Sequence, residues 1–436
     1  MSSTDDHGAV NDALSDPRIK KPHRPDVLLD VASRFGTPSY VYFEDVISRQ
    51  IERLQDAIAP WSIRLLYAMK ANSNVDILRL IRSKNVAIDA VSPAEAELTM
   101  LVGFAPEDIF FSANNMSTDD LAWAASRNVW INVGEDATLD LVGSHAPGSE
   151  ISLRVNLEVG AGHHEHVVTG GNRSKFGIVS ESLDAALRRA RDAGLPVVGL
   201  HQHIGSGSLD VTPLVESVKK LADLAMRLPD IRFVNIGGGL GVGYDAGQEN
   251  LRLRDLMDGF GPSFSRLRER GIAIWMEPGR YVVAESGVLL VSVTDVKHRG
   301  SISFAGTNSG MNHLIRPALY GARHAVYNLT NPEGQLLTYD VVGNICESGD
   351  FLAKQSVVAE IRRDDILAVL DTGAYGVSMA NEYNLRPLPA EVYVGARGAR
   401  LSRDRENPAA MARRYLDANE QARASELSTR TTGAAT

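Results

Sequence analysis

Short apolar runs alternate with helix-period segments along most of this chain. The runs are rich in β-branched and large apolar residues, and several of the helix-period segments begin at a capping residue such as Asn74 or Ser92. Strands that alternate with helices pair in parallel, so the pattern predicts an α/β fold with a (β/α)8 TIM-type barrel, and a doubly wound open sheet is the alternative. The predicted barrel strands are 64–70, 86–91, 109–114, 129–134, 151–157, 197–204, 232–239 and 273–279.

After residue 285 the pattern changes to strand-like segments joined by turns, which predicts a C-terminal β-rich domain of barrel or sandwich type. The early run "PSYVYF" (38–43) is expected to pair with that domain. The expected organisation is a disordered tail (1–24), a barrel (44–285), a β domain (25–43 plus 286–416) and a second disordered tail (417–436).

Composition and charge exclude several classes of function. A net charge of -9 over 436 residues argues against a nucleic-acid partner. No apolar run approaches the roughly 20 residues of a membrane span, and the acidic start lacks the apolar core of a secretion signal. A single cysteine, Cys346, fits a reducing compartment. We therefore expect a cytoplasmic protein with no membrane or nucleic-acid partner.

Polar residues collect at the carboxyl ends of the predicted barrel strands, where the active sites of such barrels lie. Lys70 ends the first strand, and we expect partial burial to lower its pKa and make its amine nucleophilic toward a carbonyl. An ordinary exposed lysine at a strand–loop junction is the alternative. The strand-end set is Lys70, Asp89, Asn114, Arg154, His203, Gly237–Gly239, Glu277 and Arg280.

Two histidines alternate in "HQHIGSG" (201–207), so His201 and His203 are expected to face one side of the sheet. A zinc site is the minor alternative, because no third ligand stands at a matching spacing. A flat imidazole at His203 suits packing against a planar cofactor better. Ser206, in the glycine-rich turn, could donate its hydroxyl to an anion.

The next two motifs supply an anion cradle and a carboxylate. The glycines of "NIGGGLGVGY" (235–244) let backbone amides surround a phosphate, although turns are also glycine-rich. Glu277 could hold a ring nitrogen protonated and Arg280 could grip a carboxylate, while a structural Glu–Arg pair is the alternative. A reactive lysine, a stacking histidine, an anion cradle and this carboxylate together fit pyridoxal 5'-phosphate.

With these motifs the chain resembles the alanine-racemase-fold (fold type III) pyridoxal-phosphate decarboxylases, and within them the diaminopimelate type. The resemblance spans roughly residues 30–405, with the motifs in the order of the family. They are "YAMKANSN", "TGGNRSKFGI" (169–178), "GLHQHIGSG", "NIGGGLGVGY", "EPGRYVVAESGVLL", "GMNHLIRPALYGARH", "CESGD" and "DTGAYGVSMANEYNLRPLPAEV".

The resemblance implies a role for each matching residue. Lys70 would bond the cofactor's aldehyde, His203 would stack on its ring and Glu277 would pair with the ring nitrogen. Cys346 would donate the proton that replaces the lost carboxylate, and Glu347 would meet the distal amino group of the substrate. The other cofactor-binding residues would be Asp89, Ser206, Gly238, Gly239, Gly279, Arg280 and Tyr375, and the other substrate-binding residues would be Arg280, Arg316, Tyr320 and Tyr375.

The reaction implied by the resemblance is decarboxylation of meso-2,6-diaminopimelate to L-lysine, a step of lysine biosynthesis, with no metal. In such enzymes Cys346 and Glu347 would reach the site from the partner subunit of a homodimer. Glu347 stands where related ornithine decarboxylases usually carry aspartate, which favours diaminopimelate.

Three residues depart from the family pattern. Asn308 and His313 replace two acids in "NSGMNHLIRP", and Asn344 stands where proline is common. A decarboxylase of a related diamino acid, such as ornithine or lysine, in a secondary pathway is therefore the alternative.

Two other classes of function are alternatives to a decarboxylase. An inactive paralogue that regulates an active relative would typically lose Lys70 or Cys346, and both are present. A racemase needs a second base across the cofactor and would not be expected to carry "CESGD". Cys346 in isolation would suit a buried structural role, but the strand-end set indicates a general acid, since a thiol is still largely protonated at neutral pH.

Overall fold

We describe a computed structural model that covers residues 16–160 and 174–432, with side chains to residue 420. Residues 1–15 of the expected N-terminal tail and 169–173 of the "TGGNRSKFGI" motif lie outside the described residues.

The strands are numbered in chain order through both parts of the molecule. They are β1 (Ser39–Phe43), β2 (Arg64–Ala68), β3 (Ala87–Ala90), β4 (Ile109–Phe111), β5 (Trp130–Val133), β6 (Ile151–Asn156), β7 (Ile178–Val179), β8 (Val197–His201), β9 (Phe233–Asn235), β10 (Ala273–Met276), β11 (Gly287–Arg299), β12 (Ile302–Thr307), β13 (Val326–Asn328), β14 (Leu336–Val342), β15 (Phe351–Ala359), β16 (Ile366–Val369), β17 (Ala390–Gly395) and β18 (Gly398–Arg403).

The α-helices are numbered in the same way. They are α1 (Pro25–Phe35), α2 (Glu44–Ile58), α3 (Val75–Ser83), α4 (Pro93–Val102), α5 (Thr118–Arg127), α6 (Thr138–His145), α7 (Ser180–Asp192), α8 (Thr212–Ala225), α9 (Leu253–Glu269), α10 (Arg280–Val283), α11 (Arg316–Tyr320) and α12 (Pro408–Thr432).

Eight parallel strands close into a barrel, which confirms the predicted fold class. Their order around the ring is β2–β3–β4–β5–β6–β8–β9–β10, and β10 returns to β2. Each strand begins within a residue of its predicted start but ends one to four residues earlier. The polar residues expected at the strand ends therefore lie mostly in the loops that follow, where their side chains are not committed to the sheet.

Capping side chains start several barrel helices where the sequence predicts them. The Asn74 side chain accepts hydrogen bonds from the backbone amides of Asp76 (3.0 Å) and Ile77 (3.4 Å) at the start of α3. Ser92 accepts from the amide of Glu95 at 3.2 Å and opens α4. These bonds satisfy amides that have no partner within the helix, and so they fix the point at which each loop ends.

The second sheet follows the order β15–β14–β12–β11–β1–β17–β18, with β13 and β16 joined through β11. Strand β1 pairs antiparallel with β11 and parallel with β17, so the early strand joins the β-rich part as expected. Leu28 and Val31 of α1 pack against this sheet in a small core of their own. Helix α1 and strands β13 and β14 were not anticipated from the sequence.

Described residues near both ends of the chain lie within the expected tails. At the N-terminal side, Lys20 Nζ donates to Asp371 Oδ2 (2.6 Å) and to the carbonyl of Gly243 (2.8 Å), so this segment is held to both parts of the molecule. At the other end α12 extends over Pro408–Thr432. The sequence there is rich in Ala and Arg, which favour a helix even without an apolar stripe.

Among the described residues, no helix combines the length and the apolar character needed to cross a membrane.

Candidate active site

One narrow cavity lies at the carboxyl ends of the barrel strands, whereas wider clefts lie elsewhere on the described surface. It brings together residues from the ends of β2, β8, β9 and β10 and from the loop after β16. Its lining is Ala68, Lys70, His203, Ser206, Gly239, Leu240, Glu277, Pro278, Gly279, Arg280, Tyr281 and Tyr375.

Lys70 reaches this cavity from a single helical turn directly after β2. Its Nζ lies 2.9 Å from Asp89 Oδ2, and the Asp89 carboxylate is fully buried. Burial alone would lower the pKa of Lys70, but Asp89, Tyr375 and Glu277 together raise it above its ordinary value. We expected burial to lower the pKa of Lys70. That expectation is wrong for the chain without a cofactor, because the buried amine lies next to carboxylates that stabilise its charged form.

Asp89, the third residue of β3, is fixed by a second donor. Ser112 Oγ donates to Asp89 Oδ1 while Lys70 donates to Oδ2. Burial raises the pKa of Asp89, as does the nearby Glu277, while Lys70 and Ser112 oppose them. The carboxylate therefore holds the Lys70 side chain in one direction.

Glu277 follows β10 and is 4% exposed. Its Oε1 accepts from Asn235 Nδ2 at 2.6 Å, and its Oε2 lies 3.2 Å from His201 Nε2. Burial raises the pKa of Glu277, and the charges of Lys70 and Arg154 act against that rise. A buried carboxylate that lines a cavity favours a cationic or proton-donating group there.

The two histidines of "HQHIGSG" have different surroundings. His201 ends β8 inside the barrel and packs at 5.6 Å from the Phe110 ring. His203 lies in the following loop, lines the cavity, and its Nδ1 accepts from the Gly238 amide at 3.2 Å. Burial holds the pKa of both histidines well below the ordinary value, so both imidazoles are neutral at pH 7. Within the described part of the chain no cluster of metal ligands is present.

The glycine triplet after β9 is packed too closely for any side chain. A Cβ atom at Gly238 would lie 2.3 Å from the carbonyl oxygen of Glu277. At Gly239, where φ is +104°, it would lie 2.8 Å from the carbonyl oxygen of Gly205. A Cβ atom at Gly279 would lie 3.0 Å from the carbonyl oxygen of Ala68. Glycine therefore lets three loops meet at the cavity, with backbone as its wall.

Arg280 is 5% exposed and links the two sides of the cavity. It donates to Ser206 Oγ from Nη2 (2.9 Å) and to the Tyr244 hydroxyl from Nη1 (2.8 Å). Its guanidinium also lies 4.8 Å from the centre of the Tyr375 ring. None of these partners is Glu277, so they do not form the structural Glu–Arg pair that the sequence left as the alternative.

Arg316 begins α11 and is 1% exposed. Its Nη1 lies 2.8 Å from His324 Nε2, and its guanidinium lies over the Tyr244 ring at 4.6 Å. Its Nε and Nη2 have no hydrogen-bond partner among the described residues. Tyr320 ends the same helix and lies close enough to Arg280 to help raise the pKa of that guanidinium. A buried guanidinium with free donors favours an anionic ligand such as a carboxylate.

Cys346 and Glu347 are exposed and are not part of the cavity lining. The Cys346 amide donates to Asn384 Oδ1 at 3.0 Å, and the Tyr383 hydroxyl donates to Glu347 Oε1 at 2.5 Å. Both residues lie in the loop after β14. The buried carboxylate of Asp350 stabilises this loop by accepting a hydrogen bond from the Ile345 amide at 2.7 Å. A single chain therefore does not bring these two residues to Lys70.

The three departures from the family pattern occupy structural positions. His313 Nδ1 lies 3.0 Å from Ser309 Oγ, and its Nε2 lies 3.1 Å from the carbonyl of Pro387. Asn308 Nδ2 donates to Thr37 Oγ1 at 2.8 Å. The Asn344 backbone bonds to Ser309, and its buried side-chain oxygen has no partner among the described residues. None of the three lines the cavity that contains Lys70.

Several residues that contact predicted site residues were not themselves predicted from the sequence, namely Ser112, Asn235, Tyr244 and His324. Asn235 could have been found, because it is the last residue of β9 and so shares the strand-end position of the others. Tyr244 and His324 come from loops whose path the strand pattern does not predict.

Comparisons with known proteins agree with this geometry. A family described as "Pyridoxal-dependent decarboxylase, pyridoxal binding domain" matches residues 44–284. A diaminopimelate decarboxylase from Methanothermobacter thermautotrophicus is 39% identical over 391 residues, which cover 87% of this chain and 91% of the relative. One from Aquifex aeolicus is 34% identical over 390 residues, which cover 87% of this chain and 92% of that relative.

A solved structure gives the same result at the level of the fold. The diaminopimelate decarboxylase from Helicobacter pylori, complexed with L-lysine, aligns with a TM-score of 0.84 and 32% sequence identity. The alignment covers 90% of this chain and 100% of that one.

Proposed function

Because this chain belongs to the pyridoxal-dependent decarboxylase family, we propose that it decarboxylates meso-2,6-diaminopimelate to L-lysine. It is a pyridoxal-phosphate-dependent amino-acid decarboxylase, and the proposal concerns its substrate, the residues that act on it and its assembly. The observation that carries the proposal is the cavity in which Lys70, His203 and Glu277 meet the glycine triplet.

The residues of the cavity fit pyridoxal phosphate. The amine of Lys70 would hold its aldehyde, and the buried carboxylate of Glu277 would hold its ring nitrogen. The neutral imidazole of His203 would pack against the ring. Ser206, Gly238, Gly239, Gly279, Arg280 and Tyr375 would surround its phosphate, and Asp89 would orient Lys70.

When bound, pyridoxal phosphate supplies an electron sink for the pair left behind by the departing carboxylate. The chain's own residues then have three tasks. Glu277 keeps a negative charge at the end of the site where the ring nitrogen of the cofactor would be held protonated. Arg280 and its tyrosine partners close the cavity, and Asp89 holds the Nζ of Lys70 in place by accepting its hydrogen bond.

Substrate recognition is proposed to rest on Arg316, Arg280, Tyr320 and Tyr375. The free Nε and Nη2 donors of Arg316 could bind a carboxylate, and a buried guanidinium loses less of that energy to water than an exposed one. Glu347 would bind the distal amino group. The relatives are diaminopimelate decarboxylases, and the Helicobacter structure contains L-lysine, which supports diaminopimelate as the substrate.

Cys346 is proposed to be the general acid, and to act in the cavity of a second copy of this chain. The support is its exposure together with Glu347, away from the cavity of its own chain. Tyr383 and Leu385 next to them are 45% and 56% exposed, which is apolar surface that a partner subunit would cover. The proposed assembly is a homodimer with shared active sites.

A cytoplasmic location is part of the proposal and rests on the one free thiol, which is typical of reducing compartments.

The substrate is tested by incubating the purified protein and pyridoxal phosphate with a panel of amino acids. Release of carbon dioxide is measured for meso-diaminopimelate, ornithine, lysine and arginine at equal concentrations. We expect kcat/KM for meso-diaminopimelate to exceed the others by about 10³-fold, since a site that binds the distal carboxylate of this substrate is left with unpaired polar groups by analogues that lack it. A higher value for ornithine or lysine would favour the alternative, a decarboxylase of a related diamino acid.

A further inference from the structure

A chain of buried polar side chains crosses the barrel interior and ends on Glu277. It begins at Ser152 in β6, continues through Asn132 in β5 and His201 in β8, and reaches the carboxylate after β10. Ser152 Oγ donates to Asn132 Oδ1 at 2.8 Å, Asn132 Nδ2 lies 2.9 Å from His201 Nδ1, and His201 Nε2 lies 3.2 Å from Glu277 Oε2. All four side chains are at most 4% exposed.

The direction of each hydrogen bond follows from the partners once the charge of Glu277 is set. The Gly237 amide can only donate, and it donates to Asn235 Oδ1 at 3.0 Å. The Asn235 amide group is thereby oriented so that its Nδ2 donates to Glu277 Oε1. At the other oxygen, an ionised Glu277 needs a donor, so His201 must carry its proton on Nε2. Its Nδ1 is then bare and accepts from Asn132.

We propose that His201 is a positioning residue that keeps Glu277 ionised and oriented toward the cofactor cavity, and that Asn132 fixes the tautomer of His201 that can do so. This inference rests on the proposed function, since the cavity is where the cofactor ring would be held. With two neutral donors, the carboxylate keeps its full charge for the ring nitrogen, which a cationic donor such as lysine would partly neutralise.

The same partners allow one opposite arrangement. If Glu277 were protonated, it would donate to His201 Nε2, Nδ1 would carry a proton, and the Asn132 amide would be reversed. Burial favours that arrangement, because it raises the pKa of Glu277. The other charged or titratable groups that face the pair are Lys70, Asp89, Arg154 and His203.

The two arrangements are separated by nitrogen NMR of the protein labelled with 15N-histidine and without cofactor. The His201 signals are identified by their loss in His201→Phe, or in His201→Gln if the first variant does not fold. We expect a protonated Nε2, a bare Nδ1 and no titration between pH ~6 and ~8. A protonated Nδ1 in the wild-type protein, or an imidazole that titrates in this range, would overturn the proposal.

The holoenzyme supplies a second readout. His201→Phe removes the donor, so kcat is expected to fall about 10-fold with KM changed by less than about 2-fold, as for a lost hydrogen bond to a charged group. The acid limb of the kcat–pH profile should move to higher pH, because Glu277 becomes easier to protonate. His201→Gln keeps an N–H donor and should restore most of the activity.

Controls separate this role from a structural one and from the proposed function. His298→Phe changes an exposed histidine on β11 that bonds only Ser303 in the described contacts, and its pH profile should match the wild type. A His201→Phe profile that keeps the wild-type acid limb would overturn the positioning role. If the wild-type protein released no carbon dioxide from any amino acid, the proposed function would fail while the NMR result still decided the tautomer.

Discussion

The amine of Lys70 ends 2.9 Å from the buried carboxylate of Asp89, and this contact determines its charge. Burial and the ion pair act in opposite directions on the pKa of Lys70, and the carboxylates prevail. The sequence shows that an amine stands at the end of a strand, but it does not show which charges surround it. The resulting ammonium is held in place by its hydrogen bond to Asp89.

At Cys346 we expect Cys346→Ala to lower kcat by about 10²-fold or more, as for a lost general acid. Because the residue does not line the cavity with Lys70, cofactor binding should be unchanged. The measurement is steady-state kinetics together with titration of the protein with pyridoxal phosphate. Ser348→Ala, two residues away in the same exposed loop, is the matched control. Near-normal turnover of Cys346→Ala would return this thiol to a structural role.

His313 makes a separate prediction about stability. Burial lowers its pKa to about 4, while the Pro387 carbonyl opposes the shift and the charges of Arg386 and Arg405 add to it. The unfolded chain therefore binds more protons than the folded one between pH ~6.5 and ~4, so the free energy of unfolding falls as the pH falls through this range. The loss should reach up to about 3 kcal/mol.

The test is denaturant unfolding of the wild type and of His313→Gln at a series of pH values. The variant has no group that titrates at this position, so its stability should change less over the same pH range. Equal slopes in the two proteins would contradict a buried neutral imidazole at position 313.

At the scale of elements, the loops after the barrel strands depend on glycine for their close approach. Gly238→Ala would place a Cβ atom 2.3 Å from the Glu277 carbonyl oxygen. We expect cofactor affinity to fall about 10-fold or more and stability to fall by about 1–3 kcal/mol, because the wall of the cavity is backbone and cannot rotate away. Thermal unfolding and a cofactor titration measure both effects.

Gly261→Ala is the matched control for this substitution. Gly261 lies inside α9, and a Cβ atom there would have an ordinary contact of 3.5 Å with Trp61. Because Pro262 follows and disfavours a Cβ on the preceding helical residue, we expect no gain in stability from alanine, and cofactor affinity should equal that of the wild type. A Gly238→Ala protein with the cofactor affinity of the control would show that the triplet is not part of the cofactor site.

The elements also show which parts of the site can be read from a sequence. Lys70, His203 and Glu277 could be predicted to lie together because strand ends in a barrel meet at one face, whatever the loop lengths. Asn235 and His201 have the same position, but their contacts with Glu277 need the register between β8, β9 and β10, which the pattern does not contain. Helix α12 was missed because its residues favour a helix by propensity and lack apolar periodicity.

At the scale of the whole molecule, the barrel and the β-rich part are joined through buried polar contacts. Glu391 of β17 accepts from Tyr42 of β1 at 3.0 Å and from Asn74, at the start of α3, at 3.1 Å. Arg400 Nη1 of β18 lies 2.6 Å from Asp76 of the same barrel helix. These contacts are internal to one chain and join β1, β17 and β18 to the start of α3 in the barrel.

The proposed shared site makes a prediction about mixed dimers. Lys70→Ala and Cys346→Ala should each be nearly inactive alone, because each lacks one part of every site. After the two proteins are unfolded and refolded together in equal amounts, about a quarter of the wild-type activity should return, since half of the dimers would carry one complete site. No recovery, in a mixture shown to contain hybrid dimers, would mean that each site is built from one chain.

The central claim is that this chain converts meso-diaminopimelate to L-lysine, and the most direct measurement is the stoichiometry of that conversion. The purified protein with pyridoxal phosphate is given meso-diaminopimelate, and carbon dioxide and L-lysine are quantified in the same samples over time. We predict equal amounts of the two products, none from the Lys70→Ala protein, and no D-lysine. Lysine without carbon dioxide, carbon dioxide without lysine, or no turnover by a cofactor-loaded wild-type protein would contradict the claim.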